Sequence, residues 1–393
     1  MTVKTGLEKL IESGFSFLKG KKIGLLCNQA SIDSRFVHVI DILKKNQGKN
    51  RFSLSAIFGP QHGLWGHTQD NMIEWQGFRD GRLGVPVYSL YGEHRKPTPE
   101  MLKGLAALVI DLQDVGSRYY TFIWTMALCM EACEETGIEI IVLDRPNPIG
   151  GSHVEGPLLD ENFRSFVGWH SLPVRHGLTI GEISQYFKEQ FYPNLSLQVI
   201  PMEGWKREMY FTDTHLPWGI PSPNMPIPET ALVYPGICLL EATNISEGRG
   251  TTRPFEMVGA PWIDGWKFSK QLNASKLPGV YFRPLQFQPT FNKYRGEVCE
   301  GCFIHVTGHK IFKPFQTGIA IILEAARSYP DMFEWKQPPY EYEFEKMPFD
   351  VLAGNSWIRE KINNLSGLDE MEKRWEKEAS QFFEIRSDYF LYQ

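Results

Sequence analysis

Apolar residues in the first part of the chain come in short continuous runs, separated by longer stretches in which they recur at helical spacing. Lys22–Cys27 (KIGLLC), 54–58 (LSAIF), 85–90 (VPVYSL), 107–112 (ALVIDL) and 138–143 (IEIIVL) read as strands. Unbroken apolar character is what a strand covered on both faces requires. Between these runs, 36–45 has helical spacing, Thr98-Pro99-Glu100 is a helix start with Pro in its first turn, and 119–136 is a long helix stopped by Gly137. Strands alternating with helices predict βαβ units, hence an α/β fold with a Rossmann-like sheet of five parallel strands. The glycine-rich dinucleotide fingerprint is missing after the first strand, so no nucleotide cofactor is expected.

Periodicity lapses between 150 and 177, in a Gly-rich stretch carrying His153, Glu155, Arg175 and His176. This reads as the crossing between a Rossmann-like N-terminal domain (1–160) and a smaller C-terminal α/β domain (161–393), with a cleft between them. The second unit is expected to open with a helix over 179–191, where Thr179 and Glu182 have capping-box spacing, followed by a strand at 197–201. The stretch 216–228 (LPWGIPSPNMPIP) holds five prolines, which forbid regular structure and predict a stiff wall. Strands near 280–288 and 302–306, a helix at Pro314–Ser328 and a tail rich in Glu and Lys follow.

Composition narrows the class. A chain of 393 residues exceeds one typical core. Its formal net charge of −5, without a basic block, speaks against a nucleic-acid partner. No segment approaches the ~20 apolar residues that a membrane crossing needs. The N-terminus reads as an amphipathic helix and then a strand rather than a leader, so the expected location is cytoplasmic, or periplasmic or secreted had a leader been removed. The six cysteines are expected to be structural. Cys299 and Cys302 have half-zinc-site spacing, but no second pair of ligands accompanies them, so no metal is expected.

Candidate chemistry collects where strands end. In an open parallel sheet, ligands sit at the carboxyl ends of the strands. The second strand stops at Gly59-Pro60 and runs into Gln61, His62, Trp65, His67, Gln69, Asp70, Asn71, Glu74 and Trp75, polar groups among flat apolar faces of the kind a sugar ring stacks on. Asp111, Gln113, Asp114, Arg118, Tyr119 and Tyr120 follow the fourth strand, and Asp144 and Arg145 the fifth. Ser31 and Asp144 fit helix caps. A second cluster, 241–261, places Glu247, Glu256, Arg249 and Arg253 in a Gly-rich loop, and Arg forks suit a carboxylate ligand.

Together the segments IFGPQHGLWG, DLQDVGSRYYTFIWTM, VLDRPNPIGG, PSPNMP and TNISEGRGTTRPFEMVGAP resemble the exo-β-N-acetylmuramidase (NamZ-type) glycoside hydrolase family, formerly a domain of unknown function. The resemblance runs from about residue 20 to the end. It implies release of N-acetylmuramic acid from the non-reducing end of peptidoglycan fragments, in cell wall recycling, without a cofactor. The partner implied is a small saccharide or muropeptide. One position departs from the family: where its pattern has PEHG, with the Glu as proposed catalytic residue, this chain has Gln61. An amide cannot act as a general acid. A relocated carboxylate is therefore expected, from Glu74, Asp70 or Glu93, with Glu74 or Asp114 paired to Glu247 as the catalytic set. Substrate assistance by the 2-acetamido oxygen is a further route. Arg249, Arg253 or Arg175 would hold the lactyl carboxylate, and His62, Tyr119, Tyr120 and Asn224 the ring hydroxyls. Trp65 would stack on a sugar face. The alternatives that Gln61 leaves open are a non-catalytic muropeptide- or sugar-binding protein and a glycosidase of altered specificity.

Overall fold

The computed structural model describes residues 2–49, 51–70, 72–79 and 81–393, so Asn71 lies outside the described residues. The strands are β1 (Lys22–Cys27), β2 (Ser53–Gly59), β3 (Phe78–Arg79), β4 (Pro86–Ser89), β5 (Ala107–Asp111), β6 (Glu139–Leu143), β7 (Glu155–Leu158), β8 (Pro173–Arg175), β9 (Leu197–Ile200), β10 (Met257–Ala260), β11 (Val280–Phe287) and β12 (Cys299–Val306). The helices are α1 (Gly6–Glu12), α2 (Val39–Asn46), α3 (Pro99–Leu102), α4 (Phe122–Thr136), α5 (Ile180–Phe191), α6 (Pro228–Ile237), α7 (Gly265–Ala274), α8 (Pro314–Ser328), α9 (Pro348–Ala353), α10 (Trp357–Asn363) and α11 (Leu368–Ile385).

Seven strands form the main sheet in the order β3-β4-β2-β1-β5-β6-β9. Every neighbouring pair is parallel except β3 with β4. Ile23, Leu25, Leu26, Ile57, Phe58 and Leu108 to Ile110 are fully enclosed, because helices cover both faces as the unbroken apolar runs demand. The strand expected to follow the opening helix of the second unit is instead β9, the far edge of this first sheet beside β6. Helix α5 packs on β6 and β9 as well, so the sheet continues beyond residue 160. Thr179 caps α5 with the expected capping box to Glu182.

Helix α4 starts at Phe122, three residues later than its pattern suggests. Ser117 and Arg118 pair with β8 instead, through the Arg118 N–H to Val174 (2.8 Å), which holds Arg118 to Tyr120 in a turn at the sheet's rim. The 241–261 segment, expected to be loop, supplies β10 to an antiparallel sheet ordered β10-β12-β11. The Glu- and Lys-rich tail folds into α9, α10 and α11, and α11 buries Met371, Trp375, Ala379 and Phe382 on one face. One apolar cluster runs from Leu26, Phe58 and Ile110 of the main sheet through Phe255 to Phe315 and Trp375. The two halves therefore share a core. Where α6 crosses α8, a Cβ on Gly236 would stand 1.8 Å from the Pro314 carbonyl oxygen, so only glycine permits that approach. All six cysteines are buried free thiols. No helix among the described residues is long and apolar enough to cross a membrane.

Candidate active site

Three segments distant in sequence meet at the carboxyl rim of the main sheet. The first follows β2. Trp75 closes over Gly59 and donates its indole N–H to the Pro60 carbonyl (3.0 Å), which fixes the turn out of the strand. Gln61, next in line, is buried and clamped at both ends of its amide. Its Nε2 donates to the Tyr91 hydroxyl (3.1 Å), and its Oε1 accepts from the Thr121 hydroxyl (2.7 Å). The assignment of nitrogen and oxygen follows from these partners. His62 sits in the left-handed region with Nδ1 at 2.8 Å from the Thr68 carbonyl oxygen. Burial pushes its imidazole down to about 4, so it is neutral and serves as a hydrogen-bonding group.

The second segment is the turn at Cys238–Ala242 with the loop behind it. Glu241 and Arg249 are both buried, and Arg249 Nη2 donates to Glu241 Oε1 at 2.7 Å. The Tyr340 hydroxyl donates to the other oxygen of Glu241 at 2.8 Å. Burial, the largest single effect, disfavours the Glu241 carboxylate, but the Arg249 charge, the hydrogen bonds from Arg249 and Tyr340 and the Lys293 charge together outweigh it and hold the group below its ordinary value. Glu247 lies on the far side of Arg249, with Oε1 at 3.4 Å from its Nε and Oε2 at 2.9 Å from Lys293 Nζ. Arg249 thus bridges two carboxylates.

The third segment is a tight turn, Tyr340 to Glu343, closed by reciprocal backbone hydrogen bonds of 2.9 Å. Its two central residues, Glu341 and Tyr342, have φ of 46° and 67°. Turns of this mirror-image kind are ordinarily built from Gly and Asn. Here two large side chains hold the conformation, at a cost of order 1 kcal/mol or more each. Arg95 stacks over the Tyr342 ring at 3.7 Å and is 5.2 Å from that of Tyr91, which braces the turn from the β4 side. Glu341 is buried, and Oε2 accepts from the Tyr91 hydroxyl at 2.9 Å. Burial is the main cause, and Glu241 a further one, that pushes its carboxyl up to about 7, against Tyr91, Arg249 and Arg95, which pull it down.

These segments border one cavity, lined by Gln61, His62, Tyr119, Tyr120, Glu241 and Arg249 together with Asn224, Tyr340 and Glu341. Of the residues singled out from sequence, Gln61, His62, Tyr119, Tyr120, Asn224 and Arg249 line this cavity. The Tyr119 hydroxyl donates to the Pro235 carbonyl oxygen, so its proton is already engaged within the protein. Asn224 Nδ2 donates to the Gln69 carbonyl (2.9 Å), which ties the proline-rich wall to the loop after β2.

The other candidates lie elsewhere. Glu74 is on the outer surface, 3.6 Å from Arg95, and Asp70 meets Asn292 at 3.1 Å. Asp114 is sealed against His176 (3.3 Å) and accepts from the Gly116 N–H (2.7 Å). Glu247 stays behind Arg249, so Glu74, Asp114 and Glu247 do not converge. Trp65 is half-exposed, 5.2 Å from His38 and beneath Arg82. Arg118 is wholly buried and donates to the carbonyls of Pro157, Leu172 and Leu352, each at 2.8 Å. Arg175 donates to the Ile149 carbonyl beside a separate cavity, and Arg253 forks onto Glu256. Asp111 is a structural anion, paired to Arg145 across β5 and β6.

The two carboxyl groups that do face the cavity, Glu241 and Glu341, carry little signal in sequence. Glu241 ends an apolar run, and Glu341 lies among tail glutamates; only the Tyr340-Glu341-Tyr342 aromatic bracket sets it apart.

The chain matches two family descriptions: "Exo-beta-N-acetylmuramidase NamZ, N-terminal" over residues 23–229, and its C-terminal counterpart over 232–392. It is 45% identical over 390 residues to the peptidoglycan beta-N-acetylmuramidase NamZ of Bacillus subtilis (strain 168), covering 99% of this chain and 91% of the relative. Two crystal structures of DUF1343 family proteins from Bacteroides fragilis superpose on all of it. One does so with a TM-score of 0.90 at 35% identity, the other with 0.78 at 29%, and 99% of each is covered.

Proposed function

The chain belongs to the exo-β-N-acetylmuramidase NamZ family, and from that premise we propose how its cavity releases N-acetylmuramic acid from the non-reducing end of peptidoglycan fragments. The observation that carries this reading is the set of side chains lining the pocket. It brings Glu241, Arg249 and Glu341 together with rings and amides suited to a pyranose.

Glycoside hydrolysis needs a proton on the departing oxygen and relief of the positive charge that grows at the anomeric carbon. Glu241, kept anionic by Arg249 and the Tyr340 hydroxyl, supplies negative potential inside a low-dielectric enclosure, where it acts most strongly. Tyr119 and Tyr120 offer flat faces to the ring, and neutral His62 with Asn224 offers hydrogen bonds to hydroxyls. Arg249 is the guanidinium on the pocket wall, and we assign the lactyl carboxylate to it. Gln61, fixed by Tyr91 and Thr121, is an amide that orients the sugar's polar substituents rather than a proton donor.

The test compares an aryl β-N-acetylmuramide with the matching β-N-acetylglucosaminide, which lacks the lactyl ether. A charge-assisted hydrogen bond contributes about 1.5–3 kcal/mol. The muramide is therefore expected to be cleaved with kcat/KM about 10- to 100-fold higher. A saccharide capped at its non-reducing end by N-acetylglucosamine should release nothing. Equal rates on both aryl glycosides, or cleavage inside the capped chain, would overturn the reading.

A further inference from the structure

Gln61 ends in an amide, and the hydrogen-bond chain that starts on it ends on a carboxyl. Gln61 Nε2 donates to the Tyr91 oxygen at 3.1 Å, and the Tyr91 hydroxyl donates to Glu341 Oε2 at 2.9 Å. Gln61 and Glu341 both border the cavity. We infer that Glu341, carried in on the strained turn of the C-terminal unit, is the general acid of this chain, since the Gln61 amide at the start of the hydrogen-bond chain cannot act as one. This rests on the hydrolase reading above and adds to it the identity of the proton donor.

Several observations converge on Glu341. Its backbone is held left-handed beside a second left-handed residue, Tyr342, and strain of this kind is retained where surrounding packing enforces a particular side-chain placement. The packing is present: Arg95 on the Tyr342 ring, and the Glu341 N–H directed to Met72 Sδ at 3.2 Å. Among the described residues, the hydrogen bond its carboxyl makes is the one accepted from Tyr91, and no cation forks onto it. Glu241 contrasts at every point, with Arg249 on one oxygen and the Tyr340 hydroxyl on the other. Two carboxyl groups in one cavity whose surroundings drive them toward opposite protonation states are the arrangement that acid catalysis uses.

The groups facing Glu341 from neighbouring elements are Tyr91 and Arg95 after β4, Glu241 from the turn at 238–242, and Arg249 from the following loop. Tyr340 and Tyr342 flank it on its own turn, and Glu74 reaches Tyr342 from outside. Burial and the Glu241 charge push its carboxyl up to about 7, so a substantial fraction of Glu341 carries its proton at neutral pH. Protonated Glu341 gives its proton to the glycosidic oxygen as the C1–O bond breaks and the bonding pair stays with that oxygen. A water oxygen then bonds to C1, and the proton that water loses returns to the Glu341 carboxylate.

The deciding experiment varies the leaving group. A disaccharide with terminal N-acetylmuramic acid needs its departing oxygen protonated, whereas 2,4-dinitrophenolate leaves unassisted. In Glu341→Gln, kcat/KM on the disaccharide is expected to fall about 10²- to 10⁴-fold, the usual worth of general acid help, while the dinitrophenyl β-N-acetylmuramide loses less than tenfold. Calorimetric binding of N-acetylmuramic acid shows that the variant keeps its pocket. A disaccharide rate within threefold of the parent would overturn the inference, as would equal losses on both substrates.

Should Glu341→Gln not fold, the pH profile decides. With the parent enzyme the disaccharide rate falls as pH rises through about 7, and the dinitrophenyl rate does not. Tyr91→Phe removes a bond that favours the ionised acid, so the falling limb must move to higher pH. A limb unmoved by Tyr91→Phe would overturn the inference. If the parent cleaves no β-muramide at all, the hydrolase reading fails first, and separately.

Discussion

Arg249 gives the sharpest test of how the pocket wall is held. Its guanidinium is buried, lies 2.7 Å from Glu241 and 3.4 Å from Glu247, and stands over the Phe255 ring at 5.1 Å. Arg249→Met keeps the length of the stem and removes the charge. Glu247 retains Lys293 at 2.9 Å, whereas Glu241 loses the guanidinium on its Oε1 and keeps the Tyr340 hydroxyl on its other oxygen. Breaking a buried pair from one side costs about 3–5 kcal/mol, because the remaining charge is still out of water. At roughly 2–4 °C per kcal/mol, the melting temperature is expected to fall on the order of 10 °C. Adding Glu241→Gln removes the stranded charge, so the double variant should recover more than half of the loss.

Urea unfolding followed by circular dichroism on the parent, both single variants and the double variant measures the coupling directly. The pH dependence has a definite sign. The folded Glu241 carboxyl lies below its ordinary value of 4.5, so its contribution is fully present above 4.5 and disappears as pH falls through the folded value. The gap between parent and double variant must therefore narrow in acid. A loss below about 1 kcal/mol in Arg249→Met, or a double variant as unstable as the sum of the singles, would refute the bridging role assigned to this residue.

Other expectations follow from side chains that sequence alone made attractive. Arg118→Met strands three carbonyls that each accept at 2.8 Å, at about 1–3 kcal/mol apiece. Denaturant melts should show at least 3 kcal/mol lost, with KM of the folded fraction close to the parent's. Glu74→Gln, an exposed partner of Arg95, should leave kcat/KM within twofold and stability within about 0.5 kcal/mol; a larger fall in activity would return Glu74 to the site. Gly236→Ala forces α6 away from α8 against a backbone oxygen 1.8 Å distant, and should cost about 1–3 kcal/mol in thermal or urea melts while sparing the pocket's chemistry.

The parallel sheet was readable because its central strands β1, β2, β5 and β6 are enclosed on both sides, which leaves a largely apolar run for each. The same rule hid β9: LQVI at a sheet edge is half-covered and short, and the lapse in periodicity before it suggested a boundary that the backbone does not respect. Helices α9 to α11 were obscured by surface composition, since α11 buries one narrow face and exposes the rest. At the site, Gln61 and His62 were legible from topology, because a strand's end fixes where the next few side chains stand, whereas Tyr119 and Tyr120, further past β5, are placed by the pairing of Arg118 with Val174. Glu241 and Glu341 were not, because nothing local marks them. Their neighbours come from residues as distant as Tyr91, 250 positions before Glu341. Arg118 and Asp114 misled for the opposite reason: charged residues beside a site motif look chemical, but a buried charge with carbonyl, imidazole or amide partners is doing structural work.

The most direct measurement is a crystal structure with N-acetylmuramic acid bound. The sugar is expected within the cavity bordered by Gln61, Glu241 and Glu341, its lactyl carboxylate on Arg249 and its anomeric oxygen within about 3 Å of the Glu341 carboxyl. A sugar seated instead in the separate cavity beside Arg175 and Lys310, with the pocket at Gln61 unoccupied, would contradict the account.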